Sequence, residues 1–188
     1  MTARYRPGAA TPSTPSAVRS TNSGAPATET VRVAFRAVGR PSDQAALDGV
    51  WWPHSRDLAT ELPALVAALD ARGFATGRVA YSRQSWNGVL KRLFVAGHVI
   101  RLGWFRTIDP NSVSMTSRDS RERADLLVVP SASDPELASQ AFERVLAPAN
   151  RDRASATLTA AAASLANSQA DTAAQTVWES EGGSEDLT

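Results

Sequence analysis

Residues 91–105 read Lys-Arg-Leu-Phe-Val-Ala-Gly-His-Val-Ile-Arg-Leu-Gly-Trp-Phe, and this stretch decides the fold class. Residues 91–95 and 98–105 are rich in β-branched and aromatic side chains. Ala96-Gly97 between them is the shortest turn that joins two antiparallel strands. Further strand signals stand on both sides. Residues 78–83 set Val79 and Tyr81 on one face, and Val113 and Met115 alternate with Ser and Thr. Ser117 to Ser120 read as a turn, and residues 124–129 are almost wholly apolar and stop at Pro130. These intervals are shorter than the dozen or so residues of a parallel crossover, so antiparallel neighbours are expected.

Outward from this block, Val31, Val33 and Phe35 alternate with Arg32, Ala34 and Arg36, a strand ended by Gly39, Pro41, Ser42 and Asp43. Leu58, Leu62, Leu65, Val66 and Leu69 form a helical stripe, with Ser55 or Asp57 as cap and Gly73 as stop. Pro63 interrupts it, so either the first turn is separate or the helix bends there. Ser133, Pro135 and Glu136 make a capping-box start for a second helix, whose stripe is Leu137, Ala141, Phe142, Val145 and Leu146. Residues 154–166 are Ala-rich, with Leu158 and Leu165 seven apart, and predict a third. Strands in succession, rather than in alternation with helices, argue for an α+β fold. The expectation is an antiparallel sheet of about five to six strands with two or three helices packed on one face.

The chain has 188 residues, 43% of them hydrophobic, with 20 basic and 19 acidic side chains for a net charge of +1. Read by segment, that balance dissolves. Residues 1–30 carry +2, residues 31–153 carry +4 and residues 154–188 carry −5. Residues 1–29 hold four Pro, two Gly and no periodic apolar positions, and are expected to be disordered. Residues 30–150 form the α+β domain, and residues 151–188 an Ala-rich helix with an acidic tail. Lys91 is the one lysine among the basic residues, a bias that first suggests a GC-rich genome. No apolar core of a secretory signal follows the N-terminus and no stretch has the length of a membrane span, so a cytoplasmic location without membrane contact is expected.

Cysteine is absent and only two His occur, which excludes disulfide scaffolds, thiolate metal sites, cysteine nucleophiles and multi-His centres. No phosphate-binding glycine loop and no nucleophile elbow is present. Neither a cofactor nor a metal is expected. The densest chemical signal is residues 47–58, Leu-Asp-Gly-Val-Trp-Trp-Pro-His-Ser-Arg-Asp-Leu. Adjacent Trp51 and Trp52 point in different directions. One can cover the core edge, the other can stack on a flat ligand or an Arg. His54, Arg56 and Asp57 gather at a helix start. These five, with Tyr81, Trp86 and Trp104 as neighbours, form the candidate ligand-binding set. Asp48 with His54 and Asp57 would offer a facial metal triad only if the chain folds back.

The same run resembles the signature of an actinobacterial domain-of-unknown-function family, number 5994. Residues 61–65 (Glu-Leu-Pro-Ala-Leu), a Trp near Trp86, residues 101–105 (Arg-Leu-Gly-Trp-Phe), 126–130 (Leu-Leu-Val-Val-Pro) and 177–183 (Val-Trp-Glu-Ser-Glu-Gly-Gly) are similar to further family segments. The resemblance covers roughly residues 31–180 and departs around residues 84–88, where more Asp and Pro are expected. It implies a bacterial, GC-rich source, carries no established activity and assigns no catalytic residue.

The leading expectation is a small binding or regulatory module for a protein or small-molecule partner, without catalytic machinery of its own. A hydrolase using His54 or His98 is one alternative. The other is nucleic-acid binding by an Arg-faced sheet, through Arg92 and Phe94 on one strand and Arg101 and Phe105 on the next.

Overall fold

The computed structural model describes residues 30–36 and 46–181, with side chains to residue 178. The expected disordered N-terminal segment, the turn at Gly39 to Asp43 and the last seven residues lie outside the described residues. The elements are β1 (Val33–Phe35), β2 (Gly49–Trp51), α1 (Leu58–Asp70), β3 (Thr76–Ser82), β4 (Arg92–Val95), β5 (His98–Phe105), β6 (Ser112–Ser117), β7 (Arg123–Val128), α2 (Pro135–Leu146) and α3 (Ala154–Glu181).

The class is α+β, but the sheet is larger than expected and mixed. Seven strands stand in the order β1-β2-β7-β6-β3-β5-β4. The added strand is β2, which lies within the Trp-bearing run of residues 47–58, where no strand was expected. Its pairing with β1 requires Gly49, since a Cβ there would lie 2.5 Å from the Ala34 carbonyl oxygen. Two pairs are parallel, β2 with β7 and β3 with β5. Short intervals did not prevent this for β3 and β5, because β4 serves as the outward leg of the crossover. The chain passes beyond the β5 position, forms edge strand β4 and returns through Ala96-Gly97. Both turn residues have positive φ, 47° and 82°, as a two-residue hairpin turn with the twist of its strands demands.

The helices do not share one face. Trp51, Leu126 and Val128 alternate with Val50, Leu127 and Val129, and the two sets belong to different apolar clusters. The first takes the α1 stripe of Leu58, Leu62, Leu65, Val66 and Leu69. The second takes Ala138, Ala141 and Val145 of α2 with Ala154 and Ala161 of α3. Strand β7 is apolar in both directions, so each of its faces needs a helix.

Helix α1 is capped by Asp57, whose carboxylate accepts the Ala59 N–H, and it runs unbroken through Pro63. Helix α2 starts one residue later than its capping box suggested, with Asp134 accepting the Glu136 N–H and Pro135 leading the first turn. Helix α3 is far longer than residues 154–166. From Ala166 to Trp178 every residue is exposed, and the hydroxyls of Ser168, Thr172 and Thr176 bond back to carbonyls four residues earlier. No helix among the described residues is long and apolar enough to cross a membrane.

Candidate functional site

Strands β2, β7, β3 and β5 all point the same way, as their pairings require. Loops leaving the carboxyl ends of β2, β3 and β7 therefore meet on one edge of the sheet. They enclose a cleft of about 230 Å³, completed by the loop entering β6. Pro53, Ser55 and Arg56 come from the β2–α1 loop, Ser85 and Trp86 from the segment after β3, and Pro110 and Asn111 from the loop before β6. Val128, Pro130, Ser131 and Ala132 come from the end of β7. Crevices at strand carboxyl ends, between diverging loops, are where open sheets usually take ligands.

Hydrogen bonds fix these walls to one another. The Arg56 guanidinium donates from Nη2 to the Gln84 carbonyl at 2.7 Å and from Nε to the Ser85 carbonyl at 3.1 Å. The Asn87 N–H returns a bond to the Arg56 carbonyl at 2.8 Å. The Ser85 hydroxyl donates to the Pro110 carbonyl. Behind the first wall, the buried Glu61 carboxylate accepts the Ser55 hydroxyl at 2.9 Å and the His54 N–H at 3.1 Å. The floor is aromatic. Trp86 stacks on fully buried Trp51, ring centroids 5.2 Å apart and planes 24° apart. The Trp86 indole nitrogen is buried without a hydrogen-bond partner, an uncommon state for a buried N–H.

Asp109 holds the wall before β6. Its carboxylate accepts the N–H groups of Asn111 and Ser155, each at 2.9 Å, and the Ser155 hydroxyl. Partial burial opposes its ionisation, but the bonds from Ser155 and Asn111 and the charge of Arg153 outweigh burial, leaving the pKa below the ordinary carboxylate value. A depressed carboxylate pKa stabilises the fold above the unfolded-state value of about 4, and that contribution is lost as pH falls through the folded value. Asp109→Asn is thus expected to lower stability at neutral pH by about 1–2 kcal/mol and to flatten the acid limb of the stability curve. Urea midpoints from pH 7 down to about 3 check this, and an unchanged limb contradicts it.

Of the eight candidate ligand-binding residues, the cleft brings together Arg56 and Trp86, with Trp51 beneath. The others serve elsewhere. Trp52 is covered by the Arg32 guanidinium, 3.7 Å from its ring centroid, so the stacking partner is an Arg of the same chain. The His54 Nδ1 lies 3.6 Å from Glu61, and Asp57 is used as the α1 cap. The buried Tyr81 hydroxyl accepts the Leu90 N–H at 3.0 Å and donates to the Leu90 carbonyl at 3.3 Å. Trp104 is partly exposed on β5 and is no part of the cleft lining.

The metal triad is not formed. Asp48 and His54 stand at opposite ends of β2, and Asp48 accepts the Asp125 N–H at 2.7 Å instead. No cluster among the described residues suits a metal ion. In the Ser55–Glu61–His54 group the carboxylate lies between the hydroxyl and the imidazole, whereas a nucleophilic Ser needs the imidazole next to it. His98 opens β5, its Nδ1 3.4 Å from the Ala96 carbonyl, and does not line the cleft. Arg92, Phe94, Arg101 and Phe105 do share one exposed face, with Arg92 directly opposite Arg101.

Sequence reading missed the walls built by Pro110-Asn111 and Pro130-Ser131-Ala132. Their only signal is Pro punctuation at strand ends, which marks a loop but not which loops meet. No curated protein and no solved structure matches the chain. A family model does, over residues 32–145, a span that contains the seven strands and every cleft residue and stops short of α3. The chain belongs to that family, DUF5994, described as a family of unknown function.

Proposed function

We propose that the domain is a binding module whose cleft takes a small ligand with an apolar ring and a terminal carboxylate, either a free organic acid or the end of a peptide. Regulation, on this reading, follows from occupancy. The observation that carries it is the cleft itself, with Trp86, Pro53, Val128 and Pro130 as apolar walls and Arg56 at the rim. Its volume of about 230 Å³ lies below the roughly 300–1,000 Å³ of sites for drug-sized ligands, which limits the ligand to about one ring and its acid group. Arg56 has spare donors for a carboxylate beyond the two given to carbonyls. It is the one ionisable residue among the described lining residues, so the site suits holding an anion better than transferring a proton.

Titration with benzoate, phenylacetate and N-acetylphenylalanine tests the reading. Calorimetry is expected to show binding of at least one at millimolar or tighter affinity, weakened about tenfold by Arg56→Ala and less by Arg56→Lys. Absence of binding by all three, or binding indifferent to both Arg56→Ala and Trp86→Phe, overturns it.

A further inference from the structure

The second cluster covers only one end of its sheet face. Over β3, β5 and β4 the same face stays open, and its register places three arginines in one row. Arg78 pairs with Arg101, and Arg101 pairs with Arg92. Strands lie about 4.8 Å apart, so the row spans about 10 Å. All three side chains are exposed, and among the described residues none is in an ion pair. Like charges directly opposite one another across strands are destabilising, so this row gains from an acidic partner.

Apolar groups flank the row. On one side Phe94 pairs with Val99, 70% and 53% exposed. On the other, the half-exposed Phe105 ring lies across Gly103, whose Cβ, if present, would meet the ring at 3.2 Å. An occupant of this face needs acidic groups next to an aromatic or aliphatic one.

The chain carries such a segment. Residues 154–188 hold five acidic groups and no basic one, four of them (Glu179, Glu181, Glu185, Asp186) close behind Trp178. Trp178 is 78% exposed. It stands 17 residues beyond Ala161, the last fully buried position of α3, or about 25 Å along a continuous helix. A helix projecting so far cannot return its own Trp178 to the body it has left. This Trp178-bearing end can therefore meet such a face only on another molecule.

We propose that the open face of β3, β5 and β4 takes the acidic, Trp178-bearing end of α3 from a second copy of the chain, so that two copies exchange helix ends. The contact is isologous and closes as a two-fold dimer. A nucleic acid is the less favoured occupant. Three arginines neutralise three phosphates at most, where tight binding uses about six to ten such contacts.

The test is sedimentation of the full chain with two charge-reversed forms, Arg92→Glu/Arg101→Glu and Glu179→Arg/Glu181→Arg. At about 50 μM and roughly 50 mM salt the native chain is expected to sediment as a dimer, and each variant as a monomer with unchanged circular dichroism. Mixing the two variants is expected to restore the dimer, since one copy's reversed tail then meets the other's reversed face. Raising salt to roughly 0.5 M is expected to weaken the native dimer at least tenfold. A native chain monomeric throughout, a dimer indifferent to both reversals, or a mixture that stays monomeric overturns the proposal. So does a monomer that binds a single-stranded oligonucleotide in an Arg101-dependent way.

Discussion

Trp51→Ala is expected to lower the free energy of unfolding by about 3–5 kcal/mol, a large part of a small domain's stability. Trp51 is 1% exposed and sits on β2 between β1 and β7, paired with Val33 and Val128. Its ring packs in the cluster made with the α1 stripe and stacks on Trp86. Truncation removes a large buried area, opens a cavity and leaves the Trp86 ring without its partner. The cleft floor should loosen with it, so binding of a cleft ligand should weaken in parallel. Urea unfolding measures the first effect. The exposed control Val89→Ala should lose far less, and a Trp51→Ala loss below about 1 kcal/mol would falsify this account of the core.

Gly49→Val is expected to be comparably severe for a different reason. An added Cβ lies 2.5 Å from the Ala34 carbonyl oxygen and 3.1 Å from both the Leu126 Cδ2 and the Phe35 Cδ1. The nearest obstacle is backbone, which cannot turn aside as a side-chain tip can. Strand β1 must either move out or lose its pairing with β2. A loss of about 3 kcal/mol or more is expected, at the top of the range for overpacking. Gly49→Ala should already show much of it. Faster exchange of the Trp52 N–H, which bonds to the Arg32 carbonyl at 2.8 Å, should accompany either change. Wild-type stability in Gly49→Ala would show that β1 is not held in this register.

These two positions also mark where the sequence stops being legible. The hairpin at Ala96-Gly97, the alternation of Val113 and Met115 and the stripe of α1 are local patterns, and local patterns carry strand and helix. Strand β2 is three residues long and begins in Asp48-Gly49, which reads as a turn. Only the approach of β1 explains that glycine. The parallel pairing of β3 with β5 depends on β4 passing outside β5, a choice of sheet order that no interval encodes. The apolar run of β7 did hold the information that both faces of the sheet are covered, and two faces require the helices to divide.

The site follows the same division. Arg56 and Trp86 were legible as chemistry, because an Arg at a helix start and a Trp in a polar stretch stand out. Their meeting was not, since it depends on loops 30 residues apart leaving the same edge of the sheet. Trp52, His54 and Asp57 have the same local credentials, yet Arg32, Glu61 and the first turn of α1 engage them within the fold.

The Trp86 indole N–H offers the most direct measurement. In nitrogen-15-labelled protein its resonance is identified by its loss in Trp86→Phe, and it is followed while a cleft ligand such as phenylacetate is added. A saturable shift of this resonance is expected together with the backbone signals of Ser85, Asn111 and Ser131, with little change at Trp104 or Trp178. Ligand binding that leaves Trp86 and those neighbours unmoved, while signals elsewhere shift, contradicts the assignment of the cleft as the working site.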